Sequence, residues 1–89
     1  MPYIKDIKRK EFEEAGIEDI AEVIEGPGDL NYVISYMAKS MINNSDRPGS
    51  YSELSSIRAA INDASDEFYR RVLVPLEDRK IRENGDVYE

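Results

Sequence analysis

The feature that most constrains this chain lies in its second half. Leu54, Ile57, Ile61, Ala64 and Phe68 recur at alternating steps of three and four, and Val72 and Leu76 extend the series. This is one face of a helix written as a near-heptad stripe. Arg58, Asn62 and Ser65 fall off it. The pattern predicts a helix from about Ser52 to Val74 that resumes through Arg82. Ser52 is the expected N-cap, with Ser55 or Ser56 in the first turn. Asn84 and Gly85 supply the stop. About thirty residues of helix span ~45 Å. A compact globule of 89 residues has a radius of gyration of only ~12 Å. The helix must therefore bend or run beyond its own domain. Pro75 cannot donate to the Arg71 carbonyl, and its ring crowds that turn, so a kink is expected there. A stripe that projects needs a second chain to cover it, which points to a homo-oligomer.

The rest of the chain is cut by Gly16, by the turn Gly26-Pro27-Gly28 and by NNSDRPG from Asn43 to Gly49. A short head helix is expected from about Lys5 to Ala15, carrying Ile7 and Phe12 and ended by Gly16. Ile17, Ile20, Ala21 and Ile24 follow helical spacing, with Glu18, Asp19, Glu22 and Glu25 on the other side. Asp29 is the expected N-cap of a helix from about Leu30 to Asn43. Leu30, Ile34, Met37 and Met41 form its apolar face. Tyr32 and Tyr36 adjoin that face as i,i+4 neighbours, with Lys39 close by. Residues 1–89 are read as a single helical domain of the all-α class: a small helical bundle with a long C-terminal helix kinked near Pro75.

Composition excludes more than it offers. There is no cysteine and no histidine. Disulfides, thiolate metal sites and Ser-His or Cys-His nucleophile pairs are therefore unavailable. A domain this small buries only ~60–65% of its unfolded surface, so helix packing and self-association must help it. Nineteen acidic residues against twelve basic ones give a net charge of −7. That balance argues against a nucleic-acid polymer as partner. No apolar run approaches the ~18 residues of a membrane span, and the start, MPYIKDIKRKEFEE, lacks the apolar core of a signal peptide. The expected setting is the cytoplasm, with no membrane partner.

Few places remain for a site. Arg70 and Arg71 sit together in an acidic protein, next to Tyr69. Asp66 with Arg70, Glu67 with Arg71, and Asp78 with Arg82 have the spacing of i,i+4 ion pairs on an exposed helix. Yet Pro75 leaves the Arg71 carbonyl without its usual donor. Tyrosine beside arginine is also a combination that stacks on a base and forks a phosphate. Tyr69, Arg70 and Arg71, with Tyr32, Tyr36 or Lys39 from the preceding helix, are the candidate ligand-binding residues. Glu11, Glu14, Glu18 and Glu22 could be imagined around magnesium. No ExxE…ExxD arrangement answers them from Glu53, Asp63, Asp66 and Glu67, so the acids are read as a solvated face and no metal or other cofactor is expected.

The blocks PYIKDIKR, GDLNYVIS, EFYRRVLVPLEDRK and ENGDVY together resemble a family of small uncharacterised proteins of prokaryotes and their phages, which carries only a domain-of-unknown-function label. The likeness runs from Pro2 to Tyr88. The family pattern has tyrosine where this chain has Leu76, so no role for that ring carries over. The resemblance implies a helical fold and brings no reaction and no catalytic residues. By analogy it raises phage anti-defence proteins, some of which are helical oligomers that sequester nucleotide signals at subunit interfaces. The leading expectation is thus a non-enzymatic oligomer that captures a small phosphorylated, nucleotide-type ligand, in the host cytoplasm if phage-encoded. The alternative is a structural or protein-interaction module, for instance an inhibitor that docks on a host protein.

Overall fold

The computed structural model describes residues 4–44, 46 and 49–88. All regular structure among them is helical. In order, the elements are α1 (Asp6–Glu14), α2 (Ile17–Val23), α3 (Pro27–Asn43), α4 (Tyr51–Phe68), a π-helical segment (Tyr69–Leu73) and α5 (Val74–Asn84). The last three run on without a break, so the long C-terminal helix expected from the stripe is present, 34 residues in all. The chain divides into two compact units, residues 1–48 and 49–89.

In the first unit the breaks act as glycine chemistry dictates. Gly16 adopts φ 96°, a left-handed conformation that a side chain would strain. Its N–H donates to Glu13 O and its carbonyl accepts from Ile20, so one residue closes α1 and opens α2. The chain then becomes extended at Ile24 and enters α3 through Gly26. Here the expected start is corrected. The helix begins at Pro27, not at Leu30, and Asp29 is not its N-cap. Proline suits the first helical position because its fixed φ is already helical and its missing N–H has no partner there to lose. Asp29 instead lies in the first turn, and its Oδ2 accepts the Glu25 N–H at 2.9 Å. That placement also sets a negative charge at the positive end of the helix. Leu30, Ile34, Met37 and Met41 form a stripe on α3, and all four stay exposed.

The second unit is the long helix and its tail. Ser50, not Ser52, caps it: the Glu53 N–H donates to Ser50 Oγ at 3.2 Å. The Ser50-x-x-Glu53 spacing is that of a capping box, of which the Glu53 N–H to Ser50 Oγ half is formed. Ser52 lies inside the first turn, where its carbonyl accepts the Ser56 hydroxyl at 2.9 Å. At the far end Gly85, at φ 88°, donates its N–H to Ile81 O at 2.8 Å and stops the helix as expected. The tail then turns, with the Tyr88 N–H on Asp86 Oδ1 at 2.8 Å.

The departure from regular geometry before Pro75 takes the form of the π segment. The Val74 N–H donates to Tyr69 O, five residues back. The wider turn makes room for the proline ring and accommodates its missing donor within a helix that continues. The turn expected over Asn43 to Gly49 lies partly outside the described residues, which omit Ser45, Arg47 and Pro48.

Burial is sparse. Among the described residues Ile57, at 7% exposure, is the one buried hydrophobic side chain. Of its companions on the stripe, Leu54, Ile61, Phe68, Val72 and Leu76 are all exposed. No helix among the described residues is long and apolar enough to cross a membrane.

Candidate binding faces

The six residues singled out by sequence divide between the two units. Tyr69, Arg70 and Arg71 all fall within the π segment. Two arginines one residue apart on a helix diverge by about 100°, yet both reach the same acid. Arg70 Nη2 pairs with Glu67 Oε2, and Arg71 Nε stands 3.1 Å from Glu67 Oε1. The carboxylate therefore holds one guanidinium on each oxygen. The expected Glu67–Arg71 pair is present. The expected Asp66–Arg70 pair is not, because Glu67 sits one turn from Arg70 as well and takes both. Glu67 is the least exposed of the three, with its side chain at 20%. Both guanidiniums remain open to solvent, so these contacts are worth only about 0.3–0.5 kcal/mol each. Tyr69 is half exposed beside them. Further along, Asp78 and Arg82 do not pair; Lys80 instead approaches Glu83, at 3.7 Å.

Tyr32 and Tyr36 are neighbours on α3, with ring centroids 6.3 Å apart and planes inclined by 41°. This tilted contact follows from their i,i+4 spacing and lies within the usual range for aromatic pairs. Lys39 is exposed on the same helix. The Asn31 amide oxygen faces the Ser35 hydroxyl at 3.4 Å, a long contact on an exposed surface.

Sequence reasoning missed a groove in the first unit. Ile20, Val23 and Ile24 from the α2 end and Tyr32 and Val33 of α3, with Asp19 and Asp29, line an open space of about 520 Å³. The lining is apolar and the only charges are negative. Its charge is legible in the sequence, if not its shape: no basic residue occurs between Lys10 and Lys39, while eight acids do. A phosphate would meet only negative charge there. The groove therefore sets Tyr32 in a different chemical setting from the arginines with which it was grouped.

Among the described residues no three acidic side chains gather as metal ligands. The acids on α1 and α2 are spread along exposed helix surfaces, two of them in ion pairs of their own: Lys8 Nζ to Glu11 at 2.9 Å and Arg9 to Asp6 at 3.8 Å. Lys8 also stands 5.5 Å from the centre of the Phe12 ring, which partly covers that face of the aromatic.

No curated protein and no solved structure matches this chain. One family model does, over residues 1–87. With the match running through both units and all the helices, the chain belongs to the family described as domain of unknown function DUF6899.

Proposed function

We propose that this chain is a non-catalytic helical interaction module that works as a homo-oligomer, covering the apolar face of its long helix with another chain. The observation that supports this is the state of the stripe. Leu54, Phe68 and Val72 stay 43%, 58% and 52% exposed, and only Ile57 is buried. Fully burying an aliphatic or aromatic side chain contributes about 1.5–3 kcal/mol. With these side chains about half exposed, the face left in water still forgoes about 3–7 kcal/mol, comparable to the stability of a small domain. Light scattering and sedimentation on the purified chain test the reading. Phe68→Ala and Leu54→Ala should dissociate the oligomer while leaving its helical circular dichroism largely in place. A wild-type chain that stays monomeric at tens of micromolar, or variants that assemble like the wild type, would sink it.

A second reading has an observation of its own. Tyr69, Arg70 and Arg71 lie on the π segment, and π turns inside α-helices are frequent at functional sites. On this reading the oligomer captures a phosphorylated, nucleotide-type ligand on these three residues, with Tyr32, Tyr36 or Lys39 contributing. Native mass spectrometry of the purified protein, followed by release of anything bound, tests for such a ligand. Arg70→Glu with Arg71→Glu should abolish its binding and spare helicity. Retained binding in that double variant would remove the assignment.

A further inference from the structure

The geometry points to a particular pairing: two copies of this chain join their long helices, Tyr51–Asn84, side by side and antiparallel. This rests on the self-association proposed above and adds which surface is used and which way the partner runs.

Two independent features of the helix carry it. The first is the exposed stripe, which continues through the π segment to Leu76. It extends over about 33 Å at 1.5 Å per residue. The second is charge. In α4 four carboxylates, Glu53, Asp63, Asp66 and Glu67, stand against one cation, Arg58. Beyond Phe68 the balance inverts. Arg70, Arg71, Arg79, Lys80 and Arg82 outnumber Glu77, Asp78 and Glu83. The helix is thus acidic in its first half and basic in its second.

That inversion chooses the orientation. A parallel pair sets acidic half beside acidic half and basic half beside basic half, and like charges facing each other at an interface are penalised. An antiparallel pair sets each acidic half beside a basic one. A twofold axis across the middle of the helix makes the same contact twice, as a self-complementary dimer requires. The helix dipoles also oppose one another in this arrangement.

The absence of cysteine allows single labelling sites to be placed on the full chain. Ser55→Cys and Asp78→Cys lie at exposed positions in the two halves, about 35 Å apart along the helix. Each is spin-labelled, and double electron–electron resonance is recorded on each variant alone and on their mixture. The antiparallel pair predicts same-site distances of about 30 Å or more in both variants. It predicts a distance of about 25 Å, well below both same-site distances, only in the mixture, because both labels lie on the outer faces of helices whose axes are 8–10 Å apart. Short same-site distances in both variants would establish a parallel pair. Long distances in all three samples would place the dimer contact elsewhere. Either result overturns this inference and leaves self-association standing. A monomer by light scattering, with no distance between labels, would remove both.

Discussion

The backbone N–H of Val74 donates to the carbonyl of Tyr69, where a regular α-helix would send it to Arg70. The single wide turn sets the phase of everything after it. Phe68, Val72 and Leu76 are spaced by four and four. In an uninterrupted α-helix each step of four overshoots a full turn by about 40°, so Leu76 would drift about 80° from Phe68. A π turn absorbs roughly one extra residue, close to 100° of lag, and brings Leu76 back into line. It also takes Arg71 and Pro75 off the seam, although a strict heptad count would place them on it. The proline thus does more than bend a helix: it stabilises the wide turn that keeps the apolar stripe straight.

Replacing that proline should separate helix formation from association. In Pro75→Ala the new N–H can reach the Arg71 carbonyl, and the wide turn can relax to regular α geometry. Helical circular dichroism should hold or rise. Leu76 would swing away from Phe68, removing about 1.5–3 kcal/mol of apolar burial from the pairing, which is a tenfold or greater loss of affinity. Dilution series by sedimentation measure this. A variant that is equally helical and associates at least as tightly as the wild type would contradict the role given to the π segment.

Much of this was legible in the sequence because helices announce themselves by apolar spacing. The breaks at Gly16 and Gly85, the extent of the long helix and a disturbance at Pro75 all follow from local chemistry. The errors are at helix starts and in ion pairing, where several residues compete for one role. Asp29 and Pro27 both suit the start of α3; counting apolar positions favoured the former, while the backbone of proline decides for the latter. Ser50 and Ser52 both suit the cap. Arg70 has acids at both three and four residues upstream, and spacing alone does not rank them. The four-and-four run from Phe68 to Leu76 was visible and carried the π turn within it. A short departure from the heptad is ordinary in a helix until the phase is followed to its end. The α2–α3 groove is harder to find, since it depends on the course of the chain through the Gly26-Pro27-Gly28 turn and not on any residue spacing.

The choice of cap can be measured directly. Ser50 Oγ accepts the Glu53 N–H, whereas Ser52 contributes its carbonyl to the Ser56 contact. Ser50→Ala should cost about 1 kcal/mol of stability, and Ser52→Ala should stay within about 0.5 kcal/mol of the wild type. Urea unfolding at one fixed protein concentration gives both values, since association would otherwise shift the midpoints. The reverse ranking would return the cap to Ser52.

Glu67 offers a way to weigh the two functional readings against each other. Its two oxygens hold Arg70 and Arg71, so an incoming phosphate must compete with a carboxylate already in place. In Glu67→Gln that competitor loses its charge. If the arginines serve an anion, the variant should bind inorganic pyrophosphate more tightly than the wild type, by roughly three- to fivefold for the ~0.6–1 kcal/mol of attraction no longer opposed. Stability should fall by no more than about 1 kcal/mol, because the pairs are solvent-screened. Isothermal titration reads the first effect and urea unfolding the second. If neither protein takes up heat with pyrophosphate while the oligomer persists in both, the arginines belong to the helix surface and the interaction module stands alone. Tighter binding in Glu67→Gln would instead identify the carboxylate as the group that sets the affinity of an anion site.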